Sequence, residues 1–78
     1  MYELYINKAI ALANLGKYEE ALKTFREAET INNTDPDLYY NLAHLYDMMG
    51  DELSKQECLE KGTGLSFEIG LRKEKQYA

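Results

Sequence analysis

Apolar residues recur along this chain at three- and four-residue intervals, the period of an amphipathic helix rather than of a strand. Tyr5, Ala9, Leu12 and Leu15 fall on one side of a first helix, which Gly16 ends because glycine takes the left-handed conformation without steric cost. Tyr18, Ala21, Leu22, Phe25 and Ala28 form the stripe of a second helix, followed by a polar break at Asn32, Asn33 and Thr34. Asp35-Pro36-Asp37 is the clearest start signal in the chain. Asp35 is placed to cap, Pro36 suits the first helical turn, and Asp37 meets the positive end of the helix dipole. Leu38, Tyr39, Leu42, Ala43, Tyr46 and Met49 make the third stripe, ended by Gly50. A fourth helix follows with Asp51 as its cap and Leu53, Leu59 and Leu65 inward.

The stripes repeat. At an offset of 34 residues Tyr5 falls on Tyr39, Asn7 on Asn41, Ala9 on Ala43 and Gly16 on Gly50. Leu4 likewise meets Leu38, Leu12 meets Tyr46, Phe25 meets Leu59 and Ala28 meets Gly62. The chain is therefore a tandem of two helix–turn–helix units. One runs over about residues 2–34, the other over about 35–67, with a tail or capping helix over about 68–78. Over residues 66–78, Ser66 is expected to cap a short fifth helix whose Phe67 and Leu71 cover the open face of the second unit; the alternative is a ragged extension whose apolar side is meant for a neighbour. The fourth helix is expected to fray or bend at Gly62-Thr63-Gly64, since each interior glycine costs ~1 kcal/mol against alanine.

This tandem resembles the tetratricopeptide repeat over residues 2–67. The first unit places Tyr5, Ala9, Leu12, Gly16, Tyr18, Ala21, Phe25 and Ala28 at the signature positions. The second places Tyr39, Leu42, Ala43, Tyr46, Gly50, Leu59 and Gly62 there. Small residues sit where helices approach closest and aromatics fill the spaces between units. The resemblance implies an all-α, right-handed superhelix that binds protein rather than transforming a substrate. Departures cluster at the edges. Lys8 stands where the family has leucine, Lys55 replaces the close-contact alanine, Glu52 replaces a tyrosine, and Asn33 holds the slot of the inter-repeat proline. Lys55 has to snorkel out of its contact.

The resemblance also implies a concave groove lined by the first helix of each unit. On that face stand Glu3, Ile6, Asn7, Ile10 and Ala13, then Asp37, Tyr40, Asn41, His44 and Asp47. Ile6, Asn7, Ile10, Tyr40, Asn41, His44 and Asp47 form the expected contact set for a peptide or helix of a partner. Packing of Ile6 or Ile10 on the second helix or on another chain is the competing use of those side chains. A clamp for chaperone C-terminal carboxylates, known in the family, finds only Asn41 matched, with Ile6 and Ile10 at its first-helix positions.

Composition narrows the function further. The 78 residues hold 9 basic and 14 acidic side chains, a net charge of −5 that opposes binding to phosphate backbones, so nucleic acid is not the expected partner. Acidity is concentrated over residues 35–65, whereas residues 66–78 are mildly basic. No apolar run approaches the ~20 residues of a membrane span, and no basic-then-apolar secretory leader opens the sequence. A single cysteine, Cys58, expected on the outer side of its helix as an inert thiol, fits a reducing, cytoplasmic compartment. His44 has no nucleophile at helical spacing, and one His with one Cys is too few for a metal. No catalytic residue, metal or cofactor is expected. The expected function is a non-enzymatic interaction module or scaffold; the alternatives are a self-associating homodimer or part of a longer array, because fewer than three repeats leave apolar ends uncovered.

Overall fold

The computed structural model describes residues 1–77, folded as four α-helices: α1 (Tyr2–Asn14), α2 (Tyr18–Ile31), α3 (Pro36–Met49) and α4 (Glu52–Tyr77). α1 packs on α2 and α3 on α4, with α2 against α3 joining the two hairpins. The protein is all-α, built of two helix–turn–helix units.

The 34-residue repeat is written into the turns atom by atom. After α1, Gly16 N–H donates to the Ala13 carbonyl at 3.0 Å and Lys17 N–H to Leu12 at 2.9 Å. After α3, Gly50 N–H donates to Asp47 at 3.1 Å and Asp51 N–H to Tyr46 at 2.9 Å. Both glycines stand at φ near +78°, the left-handed geometry this paired closure requires. The caps follow the acids. Asp35 Oδ1 accepts the Asp37 N–H at 3.0 Å, and Asp51 accepts the N–H and the hydroxyl of Ser54 at 3.1 and 2.7 Å. Between α2 and α3, Asn32 Oδ1 accepts both the N–H and the hydroxyl of Thr34.

Phe25, Leu38, Tyr39, Leu42 and Leu45 are the largest fully buried side chains, and Ala9, Ala21 and Ala28 are the fully buried small ones. Each large side chain contributes about 1.5–3 kcal/mol by leaving water. The alanines let the helices close up around them. Two of the expected inward leucines are not inward. Leu15 and Leu53 are 72% and 73% exposed, because Leu15 lies past the end of α1 and Leu53 is on the solvent side of the first turn of α4. Lys8 is exposed, as expected of a charged intruder in an apolar slot. Lys55 does snorkel: its Nζ reaches Asp47 on α3 at 2.9 Å and Glu52 at 3.8 Å.

The expected break near residue 66 does not form. α4 is one helix of 26 residues that passes through Gly62, Gly64 and Gly70. The first unit ends at Asn32-Asn33-Thr34-Asp35-Pro36; the equivalent stretch, Ser66-Phe67-Glu68-Ile69-Gly70, has neither proline nor a capping carboxylate to stop a helix. Ser66 Oγ lies 3.4 Å from the Tyr40 hydroxyl instead of capping. Gly62 is buried for a steric reason: an added Cβ would stand 2.7 Å from Tyr40 Cε1. Phe67 and Leu71 remain 66% and 42% exposed and cover no face.

Candidate functional site

A channel runs between α1 and α3, which lie side by side with few close contacts. Five of the seven expected contact residues line it. At one end a depression of about 260 Å³ gathers Ile6, Asn7 and Asn41 with Tyr2, Glu3, Asp35, Asp37 and Leu38. Further along, Ile10, Asn41 and His44 surround a tighter apolar hollow of about 40 Å³ whose floor is Phe25, Leu45 and Met48. Ile6 and Ile10 are half-buried and pack on the core, so they serve as floor rather than as free prongs, and Ala13 is buried outright. Asn7 and His44 are exposed, and Asn41 is partly so.

Tyr40 and Asp47 are not in the channel. Helical rotation turns both toward α4, where the Tyr40 ring covers Gly62 and Asp47 holds Lys55. These two placements correct the expectation, and the reason is position in the tandem rather than angle. Tyr40 and Asp47 occupy the second-unit positions of Ile6 and Ala13, which face α3; among the described residues no further unit stands beside α3, so there the same side is left with the unit's own α4.

The mouth of the channel is held by one long-range bond. Tyr2 Oη donates to Asp35 Oδ2 at 2.9 Å, so a single carboxylate caps α3 and anchors α1. Burial, then the hydrogen bond to Asp35, pushes the Tyr2 hydroxyl well above the usual phenol range.

A second cluster, on the α2–α4 side, was not anticipated. Arg26, Glu29, Tyr39, Tyr46, Ser54, Glu57, Cys58 and Lys61 surround a depression of about 260 Å³. Arg26 bonds Glu29 at 3.0 Å and the Tyr46 hydroxyl at 3.1 Å, Tyr39 donates to Glu29 at 2.8 Å, and the Lys61 ammonium sits 4.7 Å from the Tyr39 ring centroid. Burial raises the Glu29 carboxyl, but the bonds from Tyr39 and Arg26 outweigh it and hold it below the ordinary range. Among the described residues no buried side-chain polar atom lacks a partner. The cluster spends its hydrogen bonds internally and acts as a clasp between the two units. Arg26 and Glu29 at i, i+3 were the signal, invisible without the tyrosines that fold puts beside them. Cys58 belongs here too. It is 8% exposed, not on the outer side, and burial raises its thiol above the usual range.

Comparison with known families settles the kinship. A family model described as TPR repeat matches residues 11–50, and a second, described as tetratricopeptide repeat, matches residues 36–68. The chain belongs to the tetratricopeptide repeat family. The family is one of non-catalytic interaction repeats, and its members generally bind other proteins. No curated protein and no solved structure matches the chain significantly. Among the described residues no tetratricopeptide helix is long and apolar enough to cross a membrane, and no three His, Cys, Asp or Glu side chains stand together as a metal site.

Proposed function

We propose that this tetratricopeptide unit is a non-enzymatic docking module that takes a peptide or helix of a protein partner into the α1–α3 channel, in a reducing, cytoplasmic setting. The observation that carries the reading is the channel's composition: an apolar hollow floored by Phe25, Leu45 and Met48, with Ile10 at its edge and the polar side chains Asn7, Asn41 and His44 alongside. Apolar anchors seated in a hollow supply affinity, and flanking amides recognise backbone. Ile6, Asn7, Ile10, Asn41 and His44 are the contact set; Tyr40 and Asp47 contribute by holding α4. A channel this short buries less than the ~1,200 Å² of a standard stable interface, so single contacts are weak and exchangeable.

The test is capture from lysate by the intact chain beside an Asn7→Ala, His44→Ala variant, both side chains being exposed. The reading expects a protein retained by the intact chain and lost by the helical variant. Equal retention by both moves the site elsewhere.

A further inference from the structure

α3 and α4 run antiparallel in a register set by two contacts, Asp47 with Lys55 and Tyr40 over Gly62. That register puts Pro36, the first residue of α3, level with Ser66. α4 continues to Tyr77, so residues 67–77, roughly 16 Å of helix at ~1.5 Å per residue, run past the start of α3 as an arm. The arm carries Phe67 and Leu71, exposed and four residues apart on one side, and the exposed basic pair Arg72 and Lys73; with Glu68 also on it, its sequence over 67–77 holds three basic and two acidic residues, a net charge of +1. At the same end of the molecule the starts of α1 and α3 set Glu3, Asp35 and Asp37 around the channel mouth, over Ile6 and Leu38. No cationic side chain lines that mouth, and none of the three carboxylates joins an ion pair among the described residues. An arm of α4 does not fold back into its own mouth, because α4 packs on α3 and not on α1.

We propose that the occupant of the acidic mouth is the α4 arm of a second copy of this chain. Two copies meet about a two-fold axis, and each lays its apolar, mildly basic arm, with the Arg72–Lys73 pair, across the mouth of the other. The proposal rests on the channel being a docking groove and adds what fills its open end. Opposite charge steers the encounter, and Phe67 and Leu71 gain cover over the apolar floor. Two-fold symmetry makes every contact twice, which brings a short arm toward the ~1,200 Å² of a stable pair.

Sedimentation velocity of the intact chain over a concentration series tests it. The expected result is a dimer that weakens at least about tenfold between low salt and 0.5 M salt, as screening removes the charge attraction. Two exposed double substitutions, Glu3→Lys with Asp37→Lys and Arg72→Glu with Lys73→Glu, are each expected to be helical monomers. Mixed in equal amounts they are expected to pair, because each arm then meets a mouth of opposite sign. A dimer indifferent to both reversals, or a mixture that stays monomeric, overturns the proposal. An intact chain that is monomeric throughout also overturns it; if that chain still loses its captured protein through Asn7→Ala, His44→Ala, the groove reading survives alone.

Discussion

Tyr2 and Asp35, 33 residues apart, are joined by a 2.9 Å hydrogen bond that ties the first turn of α1 to the cap of α3. The bond crosses from one repeat to the next at the mouth of the channel, so it sets the spacing of the two helices that line it. Tyr2→Phe removes one partly buried hydrogen bond and is expected to cost about 1 kcal/mol. Asp35→Ala removes the cap as well and is expected to cost about 2–3 kcal/mol. A double-mutant cycle by urea unfolding is expected to show coupling near 1 kcal/mol; additive costs within ~0.3 kcal/mol mean that the two side chains do not cooperate.

Alkaline pH offers a separate reading of the same contacts. Burial and bonds to carboxylates, Asp35 for Tyr2 and Glu29 for Tyr39, raise both phenols above their usual value. A folded value raised above the unfolded ~10 gives stability that is complete below pH ~10 and lost as pH climbs toward the folded value. Thermal midpoints are expected to be level through neutral pH and to fall above pH ~10. A Tyr2→Phe, Tyr39→Phe chain is expected to fall less steeply, having fewer protons to lose on unfolding. An identical alkaline slope assigns the loss to other groups.

The glycines divide by what surrounds them. Gly64 and Gly70 lie within α4 with open space where a Cβ would go, so alanine at either is expected to stabilise by about 0.5–1 kcal/mol and raise helicity. Gly16 and Gly50 also face open space but at positive φ, so alanine there is expected to cost about 1–2 kcal/mol through the backbone alone. Gly62→Ala forfeits its propensity gain because the Tyr40 ring must move. Circular dichroism melts of the five single variants check the order. Destabilisation by Gly70→Ala contradicts a continuous α4.

Much of the fold was legible from spacing alone. The 34-residue offset, Gly16 and Gly50 as turns, and Asp35 and Asp51 as caps are local features whose physics lies within a few residues. The channel was legible in outline, since Ile6, Asn7, Ile10, Asn41 and His44 fall on it by helical period. Tyr40 and Asp47 hold the same repeat positions as Ile6 and Ala13 and yet meet α4, because no further unit stands beside α3 among the described residues, and spacing alone does not say what stands beside a helix. Cys58 is buried instead because α2 and α3 residues close over its side of α4, which spacing within α4 does not show.

The linear order of residues thus determined what is local: where helices start and stop, which side of each is apolar, and that the unit occurs twice. Only the tertiary structure decided what depends on a distant partner. It laid α4 along α3 with the Tyr40 ring over Gly62. It assembled the Arg26–Glu29–Tyr39–Tyr46 clasp, and it brought the mouth acids to the end from which the basic arm projects. Turn chemistry acts across three to five residues, whereas the inter-unit bonds act across 10 to 33, a range fixed by packing.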